Sequence, residues 1–457
     1  MTLPDDPHAQ VAASVVRRLR QAGFHAYLAG GCVRDLLLGR TPKDYDVVTS
    51  APPERVQALF ERTVLVGAAF GVVRVLAATE AGDVPVEVAT FRTEGPYEDG
   101  RRPSSVRFAD PQADVLRRDF TINGLLLDPE TGQVVDWVGG LQDLERRTVR
   151  TIGDPYERLS EDRLRMLRAV RLSAELGFRL DEQTAAAIRE LAADIRSVSA
   201  ERVRDELGRL LTAPHRGRGL RLLEETGLLR QLLPEVAALR GTPQPEEFHP
   251  EGDVFEHTVR VLEHLRDPTI TLAFGALLHD VGKPRTLEFR DRIRFPRHDE
   301  VGAAVAEQVM RRLRVSNQDT ERVVALVRGH MRIKDFPHMR EAKRRRLASS
   351  PEFPELVELL RADCLASHGD LTVYEWIQGW LAERAGEPLR PPRLVTGHDL
   401  IALGLQPGPA FREILDAVYT AQLEGHVRTR EEALELAARE ARRQAGGEDS
   451  ARVEPQG

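Results

Sequence analysis

Two carboxylates, Asp44 and Asp46, flank Tyr45 at the start of an apolar run, and alternate residues of a β-strand share one face, so both acids are expected to project together. Such a pair holds a hard divalent cation through oxygen, although a bare Asp-x-Asp also ends many solvated strands. Upstream, Gly30 and Gly31 follow a short apolar run and open an amphipathic segment. Lacking a Cβ, they can bring backbone N–H groups close to a phosphate at a helix N-terminus. A phosphate cradle and a metal pair one helix apart are what nucleotidyl transfer requires. Glu87, between Val86 and Val88, points away from them; it is either a third metal-site carboxylate or part of an exposed strand face.

The stretch from Leu28 to Val48 closely resembles the nucleotidyltransferase signature of the tRNA CCA-adding and poly(A) polymerase family. The run Arg117 to Gly124 resembles that family's second motif, in which Arg118 is suited to the triphosphate and Asn123 to a ribose hydroxyl. The resemblance adds Arg34 and Asp119 to the expected nucleotide-binding set. Further on, Ser160 is expected to cap a helix on which Asp162, Arg165, Arg168 and Arg171 recur every third residue as a drifting stripe. Taken alone, such a stripe reads as surface salt bridges. The order Glu-Asp-x-x-Arg resembles the protein template of the CCA-adding enzymes, which makes Asp162 and Arg165 the base readers, with Arg168 and Arg171 facing the triphosphate or stacking on the base. One acceptor beside one donor satisfies the edge of cytosine or adenine, whereas uracil and guanine set like against like. Leaving a buried polar group unpaired costs roughly 1–3 kcal/mol, enough with two mismatches for about a hundredfold discrimination.

A second constellation lies downstream: His257, the dipeptide His279-Asp280 before Gly282-Lys283-Pro284, then His298, His330 and Asp363. It resembles the HD superfamily of metal-dependent phosphohydrolases. That resemblance implies His257, His279, Asp280 and Asp363 as metal ligands, with His298 and His330 as second-metal or phosphate contacts. Imidazoles with carboxylates suit a divalent transition metal that activates water. Phosphomonoesters or cyclic phosphates at RNA ends are the expected substrates.

The elements that must position these residues are legible in outline. Helical periodicity runs from about Pro7 to Ala22, and strand-like runs occur at 27–29, 63–66, 72–76 and 84–89. Strands interleaved with helices, followed by helices alone, predict an α+β chain. Its expected parts are a nucleotidyltransferase head with a small mixed sheet (1–148), a helical neck (149–240), an HD body (241–375), a helical tail on the tRNA (376–441) and a disordered end (442–457). The polar stretch between Phe91 and Leu116 is an expected long loop, which in the resembling family takes part in switching from CTP to ATP. Gly241-Thr-Pro-Gln-Pro reads as a linker, and Gly404 and Gly408 as tail turns able to offer amides to phosphates or simply to pack.

Composition bounds the function classes. The net charge of −7 argues against indiscriminate coating of nucleic acid, leaving local basic patches such as Arg344 to Arg346 to do any binding. Two distant cysteines exclude a disulfide framework, and the acidic N-terminus with no long apolar run predicts a cytoplasmic protein without a membrane anchor. The combined expectation is template-independent addition of C, A or both from CTP and ATP to a tRNA 3′ end with Mg²⁺. Within that class stand the CC-only and A-only enzymes and the poly(A) polymerases. The rival from another class is an HD phosphohydrolase whose head only binds RNA.

Overall fold

The computed structural model describes residues 3–66, 71–79, 82–94, 106–108, 110–245 and 252–449. Asp6 caps the first helix, Pro7–Gln21, by accepting from the amides of His8 and Ala9 at 3.3 and 3.2 Å. Ala9, Ala12, Val15, Val16 and Leu19 recur at helical spacing and are buried against the sheet.

That sheet has seven strands: β1 (Ala26–Ala29), β2 (Asp46–Thr49), β3 (Thr63–Leu65), β4 (Val72–Thr79), β5 (Gly82–Thr90), β6 (Leu125–Leu127) and β7 (Val134–Asp136), in the order β3-β4-β5-β2-β1-β6-β7. Only β2 and β5 run parallel; the other neighbours are antiparallel. Both faces are covered, as the alternation of the strands requires. Leu28, Val47, Val86, Val88, Leu125 and Leu127 join the main core, while Ala29, Val48 and Leu126 pack with Phe91 and Val115 on the opposite side. Most of the loop expected between Phe91 and Leu116 lies outside the described residues. Its flanks form a short antiparallel pair, Arg92–Glu94 with Val106–Phe108, and a helix, Pro111–Leu116.

The neck departs from the sequence reading. Ser160 caps nothing: it lies inside the helix Pro155–Glu161, whose cap is Asp154. The chain then breaks at Asp162, which is extended and accepts the Leu164 amide at 3.1 Å, and a new helix runs Leu164–Leu176. A short side-chain acceptor competing for a backbone amide is what ends one helix and starts the next. Asp162 therefore precedes the arginine helix instead of standing on it.

The body is built from Val254–His264, Ile270–Leu278, His298–Arg312, Asn317–Gly329 and Phe353–Ala366. Short two-stranded pairs persist after the head: Thr148–Val149 runs parallel to Arg179–Leu180, and Glu288–Phe289 pairs with Ile293–Arg294. One continuous apolar core extends from Ala9 to Trp380, so no gap in packing separates head, neck and body. The Gly241 segment is built into this mass: Thr242 and Gln244 are buried, and Pro243 bridges to Asp253. The tail, with helices Gly397–Ala402, Pro409–Leu423 and Arg430–Asp449, has its own small core around Val395, Leu400, Ile414 and Val418. Its last helix continues through Asp449, so residues 442–449, expected to be disordered, are helical. The preceding run 430–445, rich in Ala, Glu and Arg, has high helix propensity, and adding turns to an existing helix carries it on through Gly446 and Gly447. The Gly404 amide is spent on the Ile401 carbonyl at 2.9 Å and is unavailable to a phosphate.

Arg171 is buried on the neck helix, paired with Glu206 from Ala200–Leu211 and with Glu175 at 2.6 Å. Glu206→Ala strands part of that charge inside the neck. The expected loss is roughly 3 kcal/mol of unfolding free energy, read from denaturant midpoints; a change within error would show the pair to be dispensable.

Candidate active site

Parallel pairing of β2 with β5 places Asp46 opposite Glu87. Because Val86 and Val88 turn into the main core, Glu87 emerges on the same side as Asp46. Asp44 lies in the bend before β2 and not on the strand, yet it lines the same cleft. The Asp46 carboxyl is pushed up to about 6 by desolvation at the cleft floor and by the negative charges of Glu87 and Asp44, with Arg118 opposing. Its outer edge still meets solvent through the mouth. Acids that repel one another this way are relieved by a cation, so the donor set fits a divalent metal ion. Glu87 also pairs with Arg74 at 2.7 Å and is the one acid of the three that does not line the cleft.

The cleft has a volume of about 1030 Å³. Gly30 has φ +76, and a Cβ there would sit 3.1 Å from Arg118 Nη1, so glycine keeps the backbone close to this guanidinium. Gly31 opens the helix Gly31–Leu37. A relay of polar groups then crosses the cleft. Arg34 donates to the Asn123 side-chain oxygen at 2.8 Å, Asn123 donates to Asp119 at 3.2 Å, and Arg168 from the neck pairs with Asp119 at 3.0 Å. Burial raises the Asp119 carboxyl, but Arg168 and Arg165 more than reverse this and hold it below the usual range.

The two expected base readers line the cleft together. Asp162 accepts from Arg202 at 2.7 Å, and Arg165 donates to the carbonyls of Arg158 and Arg117 at 2.8 and 3.3 Å and pairs with Glu161. Sequence reasoning missed Arg202 and the buried Asp114, which holds Arg117 at 2.6 Å and Arg118 at 3.1 Å. The spacing of three and four residues from Asp114 to the two arginines on one helix end was the available signal. Nothing local marks Arg202.

The histidines and acids of the body meet in a second cavity of about 630 Å³. His257 Nε2 lies 3.1 Å from Asp363 Oδ1, and His279 Nε2 lies 3.2 Å from Asp280 Oδ2. His298 and His330 approach Asp280 Oδ1 at 3.5 and 3.8 Å. The Nδ1 atoms of His279, His298 and His330 sit 2.8, 2.9 and 2.6 Å from backbone carbonyls. A carbonyl only accepts, so each Nδ1 carries a proton, and a neutral His298 or His330 then presents a lone pair at Nε2. His298 and His330 Nε2 are only 3.2 Å apart. Burial lowers the pKa of both, that of His330 to about 3, which disfavours a bridging proton. Lone pairs converging without protons fit a metal cation, and His257, His279 and Asp280 form one candidate group, Asp280, His298 and His330 another. Lys283 and Lys334, not foreseen as site residues, pair with Asp280 at 2.7 Å and Asp363 at 2.9 Å. Both cysteines, Cys32 and Cys364, are free and buried. Among the described residues no helix is long and apolar enough to cross a membrane.

A mixed sheet that lifts acids to the floor of an arginine-walled cleft, with a glycine pair at its edge, defines a nucleotidyltransferase. Comparison with known proteins gives the family. Residues 26–150 match the poly A polymerase head domain, 177–239 the domain described as a probable RNA and SrmB-binding site of polymerase A, and 254–367 the HD domain. The chain is 37% identical to the A-adding tRNA nucleotidyltransferase of Deinococcus radiodurans over 433 residues, 89% of this chain and 94% of that protein. It is also 37% identical to the CC-adding tRNA nucleotidyltransferase of Thermus thermophilus over 422 residues, 89% of this chain and 92% of the relative. The crystal structure of the Bacillus stearothermophilus CCA-adding enzyme in complex with CTP superposes with a TM-score of 0.75 at 30% identity, covering 96% of this chain and all of that one. The chain belongs to the tRNA nucleotidyltransferase and poly(A) polymerase family.

The raised Asp46 carboxyl sets a pH signature. Folded Asp46 titrates near 6 against 3.8 for an ordinary aspartate, so its contribution favours the folded state below about pH 4 and is lost as pH rises through about 6. Metal-free protein should therefore lose stability across that window relative to Asp46→Asn. Parallel melting curves for the two proteins would refute the shift.

Proposed function

We propose that the protein adds C and A from CTP and ATP to the 3′ end of tRNA without a nucleic-acid template. The observation that carries this reading is that Asp162 and Arg165 line the same cleft as Asp44 and Asp46, so a base reader and an acid pair share one space. Asp44 and Asp46 hold Mg²⁺, with Glu87 as a third carboxylate; when bound, the ions supply positive charge to the hydroxyl oxygen and to the departing pyrophosphate. The RNA 3′ hydroxyl releases its proton to solvent, its oxygen bonds to the α-phosphorus, the bond from that phosphorus to the α,β-bridging oxygen breaks, and pyrophosphate leaves with the electron pair. Gly30 and Gly31 offer backbone to the phosphates, with Arg34, Arg118 and Arg168 supplying countercharge while Arg171 stays paired with Glu175 and Glu206, and Asn123 held by Asp119 takes the ribose. Arg202 and Glu161 orient the base readers before a nucleotide arrives. Addition to tRNA places this work in the cytoplasm.

A second reading within the class is a single-base specialist, favoured by the two relatives matched along most of the chain, one named A-adding and the other CC-adding. Transcripts ending before the tail, after one C and after CC, offered CTP and ATP singly and together, decide between them. Growth of the first transcript to CCA supports complete addition, extension of the CC-ended transcript alone makes a terminal-A specialist, and no extension removes the catalytic reading of the head. Asp44→Ala should abolish incorporation. Asp162→Ala should raise UMP and GMP misincorporation relative to CMP and AMP by about tenfold or more.

The body cavity is read as a phosphohydrolase acting on phosphate at RNA ends. His257, His279, Asp280 and Asp363 would hold a divalent transition metal and His298 with His330 a second ion or the phosphate; a bound ion supplies Lewis acidity toward phosphate oxygens. In the reaction a water oxygen bonds to phosphorus, the ester P–O bond breaks, and the ribose oxygen takes a proton. Asp280→Asn should remove transition-metal binding and phosphate release while leaving nucleotide addition intact, and Asp44→Ala should do the reverse. If Asp280→Asn stopped tRNA extension as well, the two cavities would be one functional unit.

A further inference from the structure

The cavity over the histidine cluster is larger than an ion and a phosphate require; at about 630 Å³ it lies within the roughly 300–1,000 Å³ of sites for whole small molecules. Its floor is Asp280, His298, His330 and Asp363, and its wall includes Phe295 and Met331. Its mouth is the two-stranded hairpin Glu288–Arg294, in which Glu288 stands opposite Arg294 and Phe289 opposite Ile293. Arg290, Arg292 and Arg294 all line the cavity, and all are exposed. Arg290 pairs with Glu288 at 2.7 Å and Arg294 with Asp291 at 2.8 Å, while Arg292 forms no ion pair among the described residues. Exposed pairs of this kind contribute little and exchange readily, and a guanidinium grips a phosphodiester bidentately. Asp291, the acid at the turn, does not line the cavity. In a chain with net charge −7, three arginines and one acid, Glu288, line one mouth above the histidine and aspartate floor, a local excess of positive charge.

We infer that this cavity receives the terminal nucleotide of an RNA strand, with Arg290, Arg292 and Arg294 holding the phosphodiester behind it, so that its ligand is a polynucleotide end and not a free mononucleotide. The fate of the terminal phosphate rests on the phosphohydrolase reading above; the seating of the strand does not.

The test has two readouts on the full-length protein. A short RNA oligonucleotide carrying a 3′-phosphate and a photoreactive 4-thiouridine next to its terminus is cross-linked, and the modified peptides are mapped. Cross-links are expected in the peptides containing the hairpin and Met331, and R290S/R292S/R294S should reduce the Met331 cross-link about tenfold and flatten its salt dependence. With Mn²⁺ present, phosphate release from the same oligonucleotide is compared with release from the matching 3′-mononucleotide. The oligonucleotide should be preferred in kcat/KM, and the triple variant should collapse that ratio about tenfold through KM, with tRNA extension by the head reporting an intact fold. Cross-links confined to the head cleft, a preference for the mononucleotide, or an unchanged ratio in the triple variant would each overturn the inference. Cross-links at the hairpin with no phosphate released from either substrate would remove the phosphohydrolase reading and leave the seating of RNA standing.

Discussion

The cleft exists because the neck is locked to the head by arginines. Arg168 reaches across to Asp119, while Arg158 and Arg165 donate to the carbonyls of Leu116 and Arg117 at the end of a head helix. These carbonyls are orphan acceptors of a helix end, and charged donors are strong partners for them. The same bonds set where Arg165 stands relative to Asp46, so the proposed base reader and the acids share one frame. Without them Asp162 and Arg165, the proposed base readers, would have no fixed distance to the acids across the cleft. The continuous apolar core supports this lock, since a hinge between head and neck would require a break in packing that the core does not have.

The two cavities solve opposite electrostatic problems. In the head, carboxylates repel one another and the surrounding guanidinium groups are tied up by Asp114, Asp119 and Glu161, so that positive charge is present but oriented. In the body, imidazoles gather around one buried aspartate, Asp280, whose ionised form is supported by the Lys283 ammonium at 2.7 Å despite its burial. Oxygen donors in an open cleft suit a hard ion exchanging with each nucleotide. Nitrogen donors buried at the floor of a cavity suit a metal that stays. On the proposed reading the two sites would not compete for one metal, because donor softness and burial differ at once.

Much of this was legible in the residues. Alternation in β5 showed that Glu87 points away from Val86 and Val88 but left its neighbours open; the parallel register of β2 and β5 is what puts it opposite Asp46. The histidines and aspartates of the body, scattered over more than a hundred positions, do converge. What could not be read was set by tertiary competition. Asp162 looked helical by spacing, but its side chain captures the Leu164 amide and splits the helix. Arg202 and Lys334 reach their carboxylates from elements distant in sequence, and no local pattern encodes such an approach. The Gly241 segment has the composition of a linker, yet Gln244 Oε1 accepts from Lys283 Nζ at 2.6 Å, because a buried ammonium needs partners.

That last contact belongs to the charge balance of the body cavity. Lys283 bridges Gln244 and Asp280, and Lys334 holds Asp363, so each acid at the metal floor already carries a positive neighbour. A cation entering beside these acids meets partly compensated charge, which limits how many ions the floor can hold and leaves positive surface facing whatever binds above it. The lysines thus shift the balance of the cavity from metal storage toward anion binding. The hairpin arginines continue the same gradient outward to the mouth, and a strand of alternating phosphates is the ligand whose charge falls along it in the matching order.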